Sequence, residues 1–236
     1  SIKNVVTNAE FEEMAKAGKV PAHVAFIQSP GGKDHDKDFP YCNSVTSMVA
    51  LKQAQYVCED NEDGQAFVLY QHMRTPGSQE LYYKSAQETD GIFLTKASVT
   101  KVEENGGKLS VTAEDTLLGE DLTLDVDMVV LAAGMVPTTK EENSINLAYR
   151  QGPAFSDLDL FDGYADSHFI CFPYETRRTG VYACGGVRKA ETMEETIDDA
   201  TGAALKAIQC LESVDRGVSV HPRSGDATYP EFFMQR

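Results

Sequence analysis

The sequence predicts an α/β protein: a doubly wound parallel sheet into which an antiparallel β-meander is inserted. Three observations carry that expectation. Apolar runs at 23–28, 65–70 and 92–95 are separated by helix-patterned segments of crossover length. Beyond Ser98 the spacing switches to alternating apolar and polar residues joined by hairpin turns. A continuous apolar run at 128–133 then reads as a strand buried on both faces.

Taken in order, Thr7 and Glu10 fit a capping box opening a helix that Gly18 closes. His23 to Gln28 is the first strand. The polar loop from Ser29 to Tyr41 holds Gly31-Gly32 and Asp34-His35-Asp36-Lys37-Asp38, which reads as a solvated loop because no second ligand cluster accompanies it. A helix from about Ser44 to Glu59 points Val45, Met48, Leu51 or Val49, Ala54 and Val57 inward. The strand Gln65–Tyr70 leads through His72-Met73-Arg74-Thr75-Pro76-Gly77 to a helix capped by Ser78 and ending near Glu88. Segments 98–103, 108–113 and 122–126 form the meander, with turns at 104–107 and 118–121. The 128–133 strand runs into Gly134. Residues 138–178 are irregular.

The stretch Thr179-Gly180-Val181-Tyr182-Ala183-Cys184-Gly185-Gly186-Val187-Arg188 reads as a short strand, a glycine turn and then a helix from about Thr192 to Leu211. Ile197, Ala200, Ala204, Ile208 and Leu211 recur at helical spacing as one apolar stripe, broadened by Ala203 and Ala207. Such a junction aims backbone N–H groups and a positive dipole end at whatever lies above it, which suits a phosphate, a carboxylate or a flavin edge. An ordinary αβ crossover without ligand has the same pattern. The candidate ligand contacts are Gly134, Gly185, Gly186, Val187, Thr192 and Met193.

At 236 residues the chain holds one large domain or two small ones. A net charge of −16 excludes nucleic acid, which needs a basic face, and disfavours anionic membranes. No run approaches the ~20 apolar residues of a spanning helix, and no signal peptide opens the chain. Five scattered cysteines, Cys42, Cys58, Cys171, Cys184 and Cys210, read as reduced thiols of a cytoplasmic protein. Cys184 stands beside the glycine turn, either as a redox thiol or, with no partner cysteine near in sequence, as a small packing residue. The five histidines show no pairing that implies acid–base chemistry, and no catalytic residue and no metal site is assigned.

The order βαβαβ, meander, apolar-Ala-Ala-Gly-x-x-Pro, then Thr-Gly-Val-Tyr-Ala-x-Gly and a small-residue helix resembles the two-dinucleotide-binding flavoproteins. Asn4-Val5-Val6-Thr7-Asn8, Ala25-Phe26-Ile27-Gln28, Tyr41-Cys42, Met48 to Ala54 and Arg74-Thr75-Pro76-Gly77 resemble the A-type subunit of heterodisulfide reductase. Phe169 to Arg178, Lys206 to Cys210 and His221 to Asp226 are similar to the B-type subunit of the quinone-interacting membrane-bound oxidoreductase complex of sulfate reducers. The resemblance implies an internal piece of a cytoplasmic, FAD-bearing electron-transfer subunit, membrane-associated through partner subunits, with iron–sulfur clusters outside this chain. It also implies a nicotinamide-domain-like module at 20–135, with residues 1–19 and 136–236 belonging to a flavin-binding-like domain. The alternative is a degenerate dinucleotide fold kept as a subunit-docking scaffold without a cofactor.

Departures qualify this resemblance. No G-x-G-x-x-G follows the first strand, so no loop seats a pyrophosphate and nicotinamide cofactors are expected to bind weakly or not at all. Where the family often places an aspartate for the ribityl hydroxyls, Gly186 stands. Thr46 and Ser47 occupy places where the relatives tend to carry cysteines, and Cys42 alone cannot supply the four ligands of a cluster. Arg74 is placed either for a cofactor ribose or as a surface residue, and Arg177-Arg178 either face an anion or relieve the acidic surface.

Overall fold

The computed structural model describes residues 2–28, 44–135, 138, 174–175 and 180–218. The predicted loop at 29–41, Arg177-Arg178, and most of 138–178 lie outside the described residues, as do Cys42 and Cys171. The chain divides into a sheet unit, Ser1–Met135, and a C-terminal unit, Val136–Arg236.

The sheet unit is built from β1 (Val5–Thr7), α1 (Asn8–Lys16), β2 (His23–Gln28), α2 (Ser44–Asp60), β3 (Gln65–Tyr70), α3 (Gln79–Glu88), β4 (Ile92–Asn105), β5 (Lys108–Asp115), β6 (Glu120–Val126) and β7 (Met128–Ala132). Its seven strands run in the order β1-β7-β2-β3-β4-β5-β6. β7 lies parallel to β2, with Val24 opposite Met128 and Gln28 opposite Ala132, so the 128–133 strand belongs to the sheet that holds 23–28, as predicted. β2, β3 and the first part of β4 are likewise parallel neighbours.

The two faces are covered differently. On one, Phe11, Ala50, Leu51, Ala54, Val57 and Ala86 from the helices pack against Val24, Phe26, Val68 and Val130. Phe11 meets Phe26 edge to face at 5.5 Å between ring centroids. On the other face Leu109, Val111, Ala113 and Val126 of the meander pack with Ala25, Ile27, Leu69 and Val129. The meander thus forms a layer on the parallel sheet while remaining joined to it by hydrogen bonding. The join is β4: it pairs parallel to β3 through Lys96, then antiparallel to β5 from Ala97, with a bulge between Val99 and Lys101. Sequence spacing splits this strand into 92–95 and 98–103. The structure runs it through because Lys96-Ala97 contains no turn former and Ala97 is buried.

Three further differences have physical causes. Val5–Thr7 is an edge strand beside β7 where the sequence shows no strand, and α1 follows it directly. Three residues are too few for a period to show. The capping box itself is present: Thr7 accepts from the Glu10 amide and Glu10 from the Thr7 amide. On α2, Leu51, Ala54 and Val57 are buried as predicted, but Thr46, Ser47 and Gln53 are buried where Val45 and Val49 are only partly so. Each polar side chain has a partner; Gln53 accepts from Asn8 Nδ2 at 2.8 Å and donates to the Asn8 carbonyl at 2.9 Å. Ser78 precedes α3 in a helical conformation and makes no side-chain cap.

At the amino-terminal edge, Gly64 and Gly91 allow a close approach. A Cβ on Gly64 would lie 2.3 Å from the Val57 carbonyl oxygen, and one on Gly91, whose φ is +89°, 2.4 Å from that of Gly64. His23 is fixed beside them. Its amide and its Nδ1 both lie 3.1 Å from Asp127 Oδ2, and Lys108 Nζ lies 3.6 Å from Oδ1.

Candidate functional site

In the sheet unit, parallel strands place their carboxyl ends on one edge, where open α/β sheets bind ligands. There a cavity of about 210 Å³ is lined by Ile27, Gln28, Gln71, Val99, Lys101 and Leu131, among others. Gln28, 3% exposed, accepts a hydrogen bond from Ser47 Oγ at 3.3 Å. Ser47 Oγ in turn accepts from the Arg74 amide at 3.1 Å. The serine therefore ties the end of β2 to the segment after β3, and the Arg74 side chain is exposed. Gly134 follows β7 at this same edge, exposed, with φ of +89°.

The C-terminal unit holds the other candidates. The predicted strand at 181–183 is a single antiparallel bridge, Tyr182 to Glu175, with the Ala183 amide donating to the Tyr174 carbonyl at 2.8 Å. Gly185–Val187 is one 3₁₀ turn, and α4 (Met193–Asp215) opens with a capping box between Thr192 and Glu195. Gly185, at φ +69°, adopts the left-handed conformation that favours glycine. Gly186 is exposed, and a Cβ there would meet nothing within 4 Å. Met193 is 82% exposed at the helix start.

The structure thus brings Gly185, Gly186 and Val187 onto one turn and links that turn to α4. The link is Asp199. Its Oδ2 accepts from the Gly185 amide at 2.7 Å and from Arg188 Nε at 3.0 Å, and its Oδ1 accepts from Arg188 Nη2. Glu191 Oε1 lies 3.5 Å from Arg188 Nη2 and 3.4 Å from Lys189 Nζ. Burial, and then the charge of Asp199, push the Glu191 carboxyl above the usual carboxylate range despite these cations. The Arg188 guanidinium also sits 5.0 Å from the Tyr174 ring centroid. Burial, with a bond to Cys210, pushes the Tyr182 hydroxyl well above its ordinary pKa. Cys58, Cys184 and Cys210 are all free thiols.

Two predicted contacts are thereby engaged internally. The Gly185 amide goes to Asp199, and the Thr192 amide goes to Glu195 Oε2 at 2.7 Å. Glu194 and Glu195 place negative charge in the first turn, which offsets the helix dipole.

The α4 stripe is also reversed. Ile197 and Leu211 are 62% and 65% exposed, and Ile208 is exposed too. The packed face is the small one, carrying Asp199 and Ala203. Gly202 lets the Tyr174 ring lie against the helix: a Cβ there would come within 2.3 Å of its hydroxyl oxygen. Asp199, Arg188 and Glu191 were not visible as a site from hydropathy, because each reads as a solvated charge. The one signal was the row of small residues, which allows closer approach than Ile or Leu does.

An open parallel sheet of this kind is the architecture of dinucleotide-binding α/β folds. The similar solved folds include thioredoxin reductase from T. acidophilum, at a TM-score of 0.52 and 16% identity, covering 87% of this chain and 57% of that one. The enzyme from Lactococcus lactis also has a TM-score of 0.52, at 13% identity, covering 89% and 62%. Residues 73–207, more than half of the chain, match the model of the pyridine nucleotide-disulphide oxidoreductases, and the chain belongs to that family. It is 33% identical over 235 residues to the A-type subunit of the H(2):CoB-CoM heterodisulfide,ferredoxin reductase of Methanothermobacter thermautotrophicus, covering 93% of this chain and 34% of that protein. It is 29% identical, over 93% of its own length, to an A-type iron-sulfur subunit of the CoB–CoM heterodisulfide reductase of Methanopyrus kandleri. The chain spans about a third of the length of the curated relatives it matches. Among the described residues no helix is long and apolar enough to cross a membrane, and no group of three His, Cys, Asp or Glu is placed to hold a metal.

Proposed function

We propose that this chain is an internal part of a flavin-dependent electron-transfer subunit of the heterodisulfide reductase A type. The observation that carries the reading is similarity to such subunits over 93% of the chain, spanning both units. In the intact protein FAD supplies the redox chemistry, accepting and releasing electrons. The open space above Gly186 fits the close approach of a ring system. Within the C-terminal unit, Gly186 and Val187 on the turn and Thr192 and Met193 at the start of α4 are the residues proposed to face the cofactor; in the sheet unit the candidate is Gly134 after β7. Gly185 contributes through its turn geometry, since its amide is held by Asp199 and its carbonyl accepts from the Arg188 amide at 2.8 Å.

The finer part of the reading rests on the resemblance at 169–178, 206–210 and 221–226. The intact subunit works in the cytoplasm, membrane-associated through partner subunits. It passes electrons between a membrane quinone partner and enzymes of sulfate reduction, through iron–sulfur clusters outside this chain. Restoring the rest of the polypeptide should give yellow protein, whereas the isolated chain should purify colourless. Gly186→Val in the longer protein should lower flavin content while leaving the fold intact. Unchanged flavin content would move the site elsewhere.

A second reading is favoured by the internal engagement of two predicted donors. The Gly185 and Thr192 amides are held by carboxylates at 2.7 Å each, so both donors are satisfied without a ligand. On this reading the chain is a docking scaffold between subunits. Full-length protein that stays colourless when refolded with excess FAD would select it.

A further inference from the structure

The tip of the β5–β6 hairpin presents two leucines in water. Leu117 and Leu118 are 73% and 75% exposed, and neither joins a core cluster of the sheet unit. They are held rather than loose. Asp115 Oδ1 accepts from the Leu117 amide at 2.8 Å and from the Leu118 amide at 3.0 Å. The Asp115 carbonyl accepts from Gly119 at 2.8 Å, with Gly119 at φ +71°. Thr116 fixes the tip to β4 by donating from both its amide, at 3.0 Å, and its hydroxyl, at 2.9 Å, to the Lys96 carbonyl. A preformed turn that exposes apolar side chains lowers the ordering cost of binding.

The residues below the leucines point to the partner. Glu114 stands directly opposite Asp121, and Asp115 directly opposite Glu120. Like charges directly across an antiparallel pair destabilise the hairpin that carries them. Four acidic residues therefore occupy the two rungs directly below the leucine turn. The bases on the adjoining stretch of β4 are Lys96 and Lys101, and Lys101 is already paired with Glu103 at 2.8 Å. Further positive charge from a partner would relieve the repulsion, and an apolar recess there would cover the leucines. A second copy of this chain, itself at −16, is a poor source of that charge.

We infer that the Leu117–Leu118 tip docks into an apolar pocket rimmed by Lys or Arg on a different protein subunit. The inference does not depend on the flavin reading, because the tip lies on the meander and none of its residues is proposed for the cofactor. It is tested in the full-length polypeptide expressed in its native host, with a photo-crosslinking amino acid at Leu118 and, as control, at the equally exposed Leu81 of α3. The expected result is a Leu118 product with a different polypeptide, mapped to a peptide containing Lys or Arg beside apolar residues. Its yield should fall about tenfold in a Glu120→Lys/Asp121→Lys background, where like charges would meet, and should fall at high salt. These side chains are exposed and the reversal relieves the repulsion within the hairpin, so a thermal midpoint no lower than that of the unaltered protein checks the fold. A product within this polypeptide or with a second copy of it overturns the proposal. So does a product insensitive to charge reversal, or a yield no higher than at Leu81.

Discussion

The sheet unit and α4 bury opposite kinds of residue. In the sheet, the fully enclosed side chains are Phe11, Phe26, Leu51, Val68 and their neighbours, and the polar exceptions are neutral and paired. Beside α4 the enclosed residues include Arg188, Glu191 and Asp199, while Ile197, Ile208 and Leu211 face outward. Stability in the first unit comes from removing apolar area from water. In the second it depends on charges satisfying one another, an arrangement that contributes little net stability but is costly to break. A helix organised around ionic contacts, with its aliphatic face uncovered, fits a surface made to meet something else.

Five substitutions sharpen or break that comparison. Phe26→Ala, emptying a fully buried site against Phe11, should lower unfolding free energy by about 3–5 kcal/mol in urea denaturation. Ile208→Ala on α4 should stay within about 0.5 kcal/mol, and a core-sized loss there would show that the helix face is covered. Arg188→Leu leaves Asp199 and Glu191 without their shared cation, and a loss of about 3 kcal/mol is expected. Adding Asp199→Leu should recover part of it, and full additivity of the two losses would count against a coupled pair. Gly202→Ala should cost roughly 1–3 kcal/mol by pushing the Tyr174 ring off the helix, read as a lower thermal midpoint.

The smallest effect is in pH dependence, and the two regions give opposite signs. Burial works against the Asp127 carboxylate, but bonds from His23 and the charge of Lys108 outweigh it and hold its pKa below the usual 3.8. Its contribution is therefore present above that value and is lost as pH falls through the lower folded pKa. Glu191 is raised above 4.5 by burial and Asp199. It therefore penalises the fold once pH exceeds its folded pKa, and the penalty disappears as pH falls below 4.5. Glu191→Gln should then be more stable than wild type at neutral pH and equal to it in acid, whereas Asp127→Asn should be less stable at neutral pH. Stability curves for the two variants that move together would contradict this.

Much of the sheet was legible because its signals are local. Apolar runs of six residues, the capping box at Thr7 and the hairpin turn at 104–107 each report on their own neighbourhood, whereas the second turn falls at 116–119 and not at 118–121 because Glu120 and Asp121 pair with β5. What escaped was decided by distant packing. Val5–Thr7 becomes a strand only because β7 lies beside it. The inward face of α4 is chosen by Tyr174 fitting over Gly202 and by Asp199 reaching Gly185, neither of which hydropathy registers. The glycine turn itself was placed from sequence. Its engagement by a carboxylate was not, because an aspartate 14 residues away carries no mark of that bond.

The most direct measurement is the visible absorbance of the purified full-length polypeptide beside that of the present chain alone. Flavin absorption in the longer protein, lowered by Gly186→Val, with a colourless isolated chain, is the expected result. A longer polypeptide that remains colourless after refolding with excess FAD would contradict the assignment of this chain to a flavin-dependent electron-transfer subunit.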